Sequence, residues 1–308
     1  MRRLYLAAED GPLRAALVDG EDRLEGFWTW GRGRDSLVGA RFLGRVRAVD
    51  RSLDAAFVDV GLERPGLLPL ARCPRPPTEG EALPVEVTRD AVEGKGVRLT
   101  ARLGDARKPP AGAAPPLRLE GEPALHRLLR KFAEIEFVAD TRRLAAELEG
   151  MAAVRPGWRI EHRPRRAWPM RLADMEAEAE AALEPRVELA GGGWLLFEAC
   201  RTLTVVDVNS GAAHGQGGER TWLKTNLVAA EEIARQLRLR NIGGIVVVDF
   251  VDLKAPERRR QVAHALSAAM SQDWEPWWVG GMSRLGLVEL SRRRAGPTLA
   301  EMLETDAS

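Results

Sequence analysis

The chain contains little cysteine and lysine, and it has no long apolar run. Its 308 residues include two cysteines, Cys73 and Cys200, which excludes a disulfide framework and any zinc site built from several cysteines. No segment reaches the roughly 20 apolar residues that a membrane-spanning helix needs. The apolar stretch within residues 1–10 is too short for a signal peptide. We therefore expect a cytoplasmic protein without a membrane segment.

Neither sign of charge is in excess. The chain has 46 lysine and arginine residues against 45 aspartate and glutamate residues, so the net charge of +1 does not by itself indicate a polyanionic partner. A local basic face is still compatible with this balance. Hydrophobic residues make up 45% of the chain and charged residues 30%, as in an ordinary soluble globular protein. The length allows two or three domains.

The first hundred residues show short strand patterns. Three strands are predicted in residues 1–37, and five more follow with turns between them, as in a small β-barrel of the oligonucleotide-binding kind. In chain order the predicted strands are Arg3–Ala7, Arg14–Val18, Phe27–Trp30, Phe42–Val49, Ala55–Val60, Gly66–Leu70, Leu83–Thr88 and Val97–Ala101. Phe57 in the barrel pattern is equally compatible with stacking on a base and with packing in the core.

A proline-rich stretch, residues 106–116, follows the barrel pattern. It has no core-forming residue, so we predict a connector. Helix patterns come next, at Glu122–Glu134, Asp140–Met151 and Met170–Leu183.

Two aspartates stand where a buried strand normally places an apolar side chain. Asp207 and Asp249 each end a run of β-branched residues. Between the runs lies a helix pattern, which we predict to be capped by Thr221 and to end at Asn241. Its apolar stripe consists of Leu223, Leu227, Ala230, Ala234 and Leu237. A strand–helix–strand unit requires parallel strands, so both acids are expected at the same edge of the sheet, where clefts form.

A pair of carboxylates at this edge favours a metal site. At a separation of about 5 Å they repel by about 3 kcal/mol at an effective dielectric constant near 20. A hard cation such as Mg²⁺ removes that repulsion. Asn209 shares the face of Asp207 and can donate a hydrogen bond to a metal-bound carboxylate or to a substrate. Taken alone, each acid is equally compatible with a metal site and with a role in a turn or helix cap. We interpret Asp252 as a turn or helix-capping residue.

Five long motifs resemble those of the ribonuclease E/G family of bacterial endoribonucleases, and weaker similarity runs from Met1 to about Leu303. The motifs are residues 53–61 (LDAAFVDVG), 204–211 (TVVDVNSG), 225–244 (TNLVAAEEIARQLRLRNIGG), 247–253 (VVDFVDL) and 283–292 (SRLGLVELSR).

The resemblance implies a multidomain fold of the α+β and α/β classes. An RNase H-like subdomain (1–37 with 117–182) would contain an inserted S1 barrel of the oligonucleotide-binding fold (38–104). The proline-rich linker (105–116) would stand in place of the 5′-sensor of the family. A DNase I-like catalytic subdomain (183–303) and a short tail (304–308) would complete the chain.

The resemblance also implies Mg²⁺-dependent hydrolysis of single-stranded RNA, leaving 5′-phosphate and 3′-hydroxyl ends. Asp207 and Asp249 match the metal-binding acids of the family, and Asn209 matches its supporting asparagine. Phe57 matches an S1 aromatic residue that contacts RNA near the cut. Arg89 and Lys95 fall where the family has basic residues directed toward the substrate.

The chain departs from the family pattern in three respects. Leu67 stands where the family usually has phenylalanine, and the subdomain that senses a 5′-monophosphate, with its Arg-Thr pair, is absent. The chain also ends before any Cys-Pro-X-Cys zinc link. We therefore expect no 5′-end sensing, no zinc and no zinc-linked dimer, and a monomer is compatible with this.

Two other functions remain open from the sequence. The first is a non-catalytic RNA-binding protein of the same fold that acts in RNA or ribosome maturation. The second is a Mg²⁺-dependent phosphodiesterase acting on a small nucleotide, which would use the same acid pair.

Overall fold

The computed structural model describes residues 1–30, 36–91, 94–103, 109–119, 123–211 and 218–303. The strands of this part are β1 (Arg3–Ala7), β2 (Leu13–Val18), β3 (Leu24–Trp30), β4 (Arg41–Asp50), β5 (Ala55–Asp59), β6 (Gly66–Pro69), β7 (Ala82–Arg89), β8 (Arg98–Thr100), β9 (Leu117–Leu119), β10 (Ile135–Ala139), β11 (Trp158–His162), β12 (Arg186–Glu188), β13 (Trp194–Ala199), β14 (Leu203–Asn209), β15 (Gly244–Asp249), β16 (Trp277–Val279) and β17 (Leu287–Arg292). Its helices are α1 (Ala124–Leu129), α2 (Arg142–Ala152), α3 (Leu172–Ala181), α4 (Gly218–Leu239), α5 (Pro256–Met270) and α6 (Leu299–Leu303), with short 3₁₀ turns at Leu70–Arg72 and Arg165–Ala167.

These elements form two compact units. The first consists of Met1–Asp35 with Phe132–Ser308, and the second consists of Ser36–Lys131. The first unit contains a five-stranded sheet in the order β11-β10-β1-β2-β3, in which β1 runs parallel to β10 and antiparallel to β2. The core on one face of this sheet takes side chains from its strands and from α3, α4 and α6, among them Tyr5, Phe27, Val138, Met175 and Leu299.

The second sheet of the first unit carries the two aspartates. Its strand order is β12-β13-β14-β15-β17-β16, and β14 and β15 are parallel. One face packs against α4 and α5 and forms a core that includes Val206, Val208, Val246 and Val248. The predicted strand–helix–strand unit is therefore confirmed.

Helix α4 has the predicted apolar stripe. Ala230, Ala234 and Leu237 are buried in the core of the sheet, and Leu223 and Leu227 pack against it. The predicted cap at Thr221 is wrong, because the helix already begins at Gly218. Glu219 in the first turn suits the positive end of the helix dipole. The predicted stop is confirmed, since the helix ends at Leu239 and Asn241 adopts the left-handed conformation, with φ of +49°.

The second unit contains a closed barrel of five strands. The strands follow one another in the order β5-β6-β8-β7-β4, and pairing of β4 with β5 closes the circle, while β9 adds to β4 outside it. Apolar side chains at alternate positions fill the interior, including Val46, Val58, Leu68, Val85 and Leu99. The predicted combination of a small five-stranded barrel with α/β structure is confirmed.

Several sequence predictions differ from the structure in detail. The helix predicted at Glu122–Glu134 is limited to α1, because β10 starts at Ile135 and takes its place in the sheet beside β1. The strands β9, β10, β11, β12 and β16 were missed. The predicted connector lies partly outside the described residues, and the predicted tail lies wholly outside them.

The expectations about the cysteines and about membrane-spanning segments can be compared with the described residues. Cys73 is buried, Cys200 is exposed, and both are free thiols. Among the residues that the structure describes, no helix is both long and apolar enough to cross a membrane.

Candidate functional site

Asp207 and Asp249 are direct partners on neighbouring parallel strands. The register of β14 and β15 aligns their Cα atoms, and adjacent strands lie about 4.8 Å apart. Side chains alternate along a strand, and Val206, Val208, Val246 and Val248 point into the core. Both acids therefore point to the opposite face of the sheet, where Asp207 is half-buried and Asp249 is exposed.

The two carboxylates interact electrostatically. Desolvation of the carboxylate by surrounding protein atoms, and then the nearby negative charge of Asp207, raise the pKa of Asp249 above its ordinary value of 3.8. Asn209 lies on the same face and donates from Nδ2 to Oδ2 of Asp207 at 2.6 Å. The amide thus holds one carboxylate while the other stays accessible, and a cation between them would remove the repulsion that Asp249 experiences.

Asn226 on α4 fixes the backbone that follows Asp249, and sequence analysis did not identify it. Its side chain is fully buried. It donates from Nδ2 to the carbonyl oxygen of Val251 at 2.7 Å and accepts from the Val251 N–H at 3.1 Å. The sequence feature that could have identified Asn226 is an amide side chain at a core-facing position of the apolar stripe, three residues after Leu223.

Gly286 leaves space beside the second acid. Its φ is +83°, and a Cβ placed on it would lie 3.0 Å from the carbonyl oxygen of Phe250 and 3.9 Å from Oδ1 of Asp249. A side chain at this position would enter the space next to the carboxylate. The exposed Asp252 does not cap the following helix, whose N-cap residue is Ala255.

The acid pair fits a cation that takes few ligands from the protein. Among the described residues, no group of three or more His, Cys, Asp or Glu side chains is arranged to hold a metal ion. A cation at Asp207 and Asp249 would therefore receive two carboxylates and complete its coordination with water or phosphate oxygens. This donor set is typical of Mg²⁺.

The predicted RNA-binding residues lie on the outer surface of the barrel. Phe57 is half-buried and alternates with Ala56 and Val58, which are in the barrel core, so Phe57 points outward and the core alternative is wrong. Arg89 lies at the end of β7, and Lys95 is exposed between β7 and β8.

Strand register places Phe57 and Arg89 in one row across the barrel. Phe57 pairs with Leu67, Leu67 pairs with Arg98, and Arg98 pairs with Arg89. Arg98 is exposed and was missed by sequence analysis, although its position between the buried residues Val97 and Leu99 already indicated an outward side chain. The row therefore combines an aromatic ring, a leucine and two arginines, of which Arg98 is exposed while Arg89 is half-buried with its Nε atom inaccessible to solvent.

Comparison with known proteins identifies the relationship of the chain. The model of the ribonuclease E/G family matches residues 108–295. Ribonuclease G of Escherichia coli (strain K12) is 40% identical over 194 residues, which are 60% of this chain and 40% of that protein. Ribonuclease E of Synechocystis sp. (strain ATCC 27184 / PCC 6803 / Kazusa) is 41% identical over 129 residues, which are 42% of this chain and 19% of that protein.

Ribonuclease E of Escherichia coli (strain K12) is 27% identical over 399 aligned positions, covering 97% of this chain and 37% of that protein. The aligned region is longer than the 308 residues of this chain, so that relative has additional segments within it. The chain spans about 40% of the length of the two Escherichia coli proteins. The family model covers more than half of the chain, and the chain therefore belongs to the ribonuclease E/G family.

Proposed function

We propose that the chain is a Mg²⁺-dependent endoribonuclease that hydrolyses single-stranded RNA and leaves 5′-phosphate and 3′-hydroxyl ends. The observation that carries this proposal is the direct pairing of Asp207 with Asp249 on the open face of a parallel strand pair. Family membership supports the same activity.

Each residue of the site has a separate role in this proposal. Asp207 and Asp249 hold Mg²⁺, Asn209 fixes the Asp207 carboxylate through its 2.6 Å hydrogen bond, and Asn226 holds the backbone after Asp249. When bound, Mg²⁺ would orient and activate a water molecule and neutralise charge on the attacked phosphate. The accessibility of Asp249 leaves room for that phosphate.

We further propose that the outer surface of the barrel binds the RNA strand. Phe57 offers a ring on which a base can stack, and Arg89, Arg98 and Lys95 offer positive charge to the phosphates. Leu67 occupies the position next to Phe57 and provides apolar contact without a second ring. The fold of this unit agrees with an S1 barrel of the oligonucleotide-binding kind.

The finer domain assignment belongs to the same proposal. It comprises an RNase H-like subdomain formed by residues 1–37 and 117–182, a barrel formed by 38–104, a linker formed by 105–116 and a DNase I-like subdomain formed by 183–303. The linker replaces the segment that senses a 5′-monophosphate. The longer aligned region of ribonuclease E supports this, since that relative has segments that this chain lacks.

A cleavage assay with the purified chain and a labelled AU-rich single-stranded RNA tests the activity. We expect cleavage with Mg²⁺ and none with EDTA, and Asp207→Asn or Asp249→Asn should lower the rate by about a hundredfold or more. Asp252→Asn is the matched control, because it removes an exposed carboxylate three residues from Asp249. Undiminished cleavage by either acid variant would refute the metal site, and RNA binding without cleavage by the wild-type chain would favour a non-catalytic RNA-binding protein.

The absence of 5′-end sensing has its own test. RNAs of one sequence with a 5′-triphosphate, monophosphate or hydroxyl should be cleaved at equal rates. A strong preference for the monophosphate would show that the linker assignment is wrong.

A further inference from the structure

An indole ring lies beside the acid pair on the same face of the sheet. Trp194 in β13 is the cross-strand partner of Asn209, just as Leu196 is the partner of Asp207. Both alternate with Leu195 and Phe197, which are buried in the core on the helix side. Trp194 therefore faces the side to which Asp207 and Asp249 point, and its Cα lies about 8 Å from that of Asp207, given the strand spacing and rise.

Trp194 is stacked with a cation. The guanidinium carbon of Arg186 in β12 lies 4.2 Å from the centroid of the Trp194 ring. The Arg186 side chain is 52% exposed, and its ion-pair partner Glu188, at 2.7 Å, is 70% exposed. The guanidinium group thus lies over the indole ring, and about half of the Arg186 side chain remains accessible to a ligand.

Local backbone and packing show that this pair is not part of the core. Trp194 is half-buried and belongs neither to the buried core of the sheet nor to the apolar side chains packed against it. Gly211, with φ of +60°, lies just after β14, and a Cβ there would be 3.5 Å from Cζ3 of Trp194. The ring therefore lies against the end of the strand that carries Asp207 and Asn209.

We propose that Arg186 and Trp194 form a binding site for the nucleotide next to the phosphate that is cleaved. The base extends the stack on the side of the Arg186 guanidinium group away from the indole, and the terminal N–H groups of Arg186, whose Nε–H donates to Glu188, donate to a phosphate oxygen. Guanidinium planes and aromatic rings both stack on bases of any sequence. This site rests on the proposed function, because it assumes that RNA reaches the acid pair.

Binding measured without metal tests the site separately from cleavage. Fluorescence anisotropy of a labelled single-stranded RNA in EDTA should show that Trp194→Ala and Arg186→Ala each weaken binding about tenfold. Trp194→Phe should restore part of the affinity. The matched control is Arg155→Ala, because Arg155 lies 5.1 Å above the ring of Trp158, which belongs to the other sheet of this unit. This variant should bind as the wild-type chain does.

Oligonucleotides with a single abasic residue identify the base. At one position the abasic residue should lower the affinity of the wild-type chain to that of Trp194→Ala, and this variant should bind the abasic and intact RNAs equally. Thermal unfolding confirms that each variant is folded. Wild-type affinity in both the Trp194 and the Arg186 variants, or equal losses from abasic residues in variant and wild type, would overturn the site. Trp194-dependent binding without any cleavage would instead overturn only the proposed function.

Discussion

The buried amide of Asn226 provides a sharp test of how the site is positioned. Asn226→Ala leaves the N–H and carbonyl groups of Val251 without their side-chain partner. Unpaired buried groups cost about 1–3 kcal/mol each, so we expect the loss of both partners to lower the free energy of unfolding by about 2–6 kcal/mol. The backbone after Asp249 would also lose its support from α4. Because loss of residues that orient metal ligands typically weakens metal binding 10- to 100-fold, the Mg²⁺ concentration for half-maximal cleavage should rise about tenfold.

Asn241 supplies the matched control at the other end of the same helix. It is also buried, donates to the carbonyl oxygen of Pro297 at 2.7 Å, and accepts from Arg292 at 3.1 Å. Asn241→Gly should therefore cost a comparable amount of stability, because glycine tolerates the left-handed φ of +49° at this position. Mg²⁺ titrations of both variants, made well below their melting temperatures and paired with calorimetric titration of Mg²⁺, separate the two effects. Equal Mg²⁺ requirements in the two variants would refute a positioning role for Asn226.

Three further predictions concern the acid pair and the barrel. The pKa of Asp249 is higher in the folded than in the unfolded chain, so the free energy of unfolding falls as pH rises through the interval above 3.8. Asp249→Asn should therefore raise the melting temperature of the metal-free protein at neutral pH. A gain in melting temperature that persists well below pH 3.8 would contradict the repulsion from Asp207. Gly286→Ala, at a φ of +83°, should lower stability by about 1–2 kcal/mol and raise the Mg²⁺ requirement, whereas an unchanged requirement would show that the space beside the acid is not used. Phe57→Ala should raise KM for RNA about tenfold with little change in kcat, while Leu53→Ala, which removes a 61% exposed side chain of the same barrel, should leave KM unchanged.

The central part of the site could be predicted because its signal is local. Each aspartate interrupts a run of β-branched residues, and a single amphipathic helix links the two runs. Parallel strands joined in this way end at the same edge of a sheet, so the placement of Asp207 and Asp249 at one edge follows from the connection, whereas their direct pairing is seen in the structure. The position of Asn209 follows from the two-residue period of a strand.

Other features depend on pairings between distant segments. The strand β10 lies between two helix patterns in the sequence, and it pairs with β1 at the start of the chain. The row that joins Phe57 to Arg98 and Arg89 and the approach of Trp194 to Asn209 exist only through strand register. Local patterns indicate which face a side chain occupies, but they do not state which strand lies beside it.

The most direct test of the account is a double-mutant cycle on the cleavage rate. Asp207→Asn, Asp249→Asn and the double variant are compared with the wild-type chain at saturating RNA and fixed Mg²⁺. Two carboxylates that hold one ion act as a unit, so the double variant should be no slower than the slower single variant. Rate losses that multiply would show that the two aspartates act independently, and would contradict a shared metal ion.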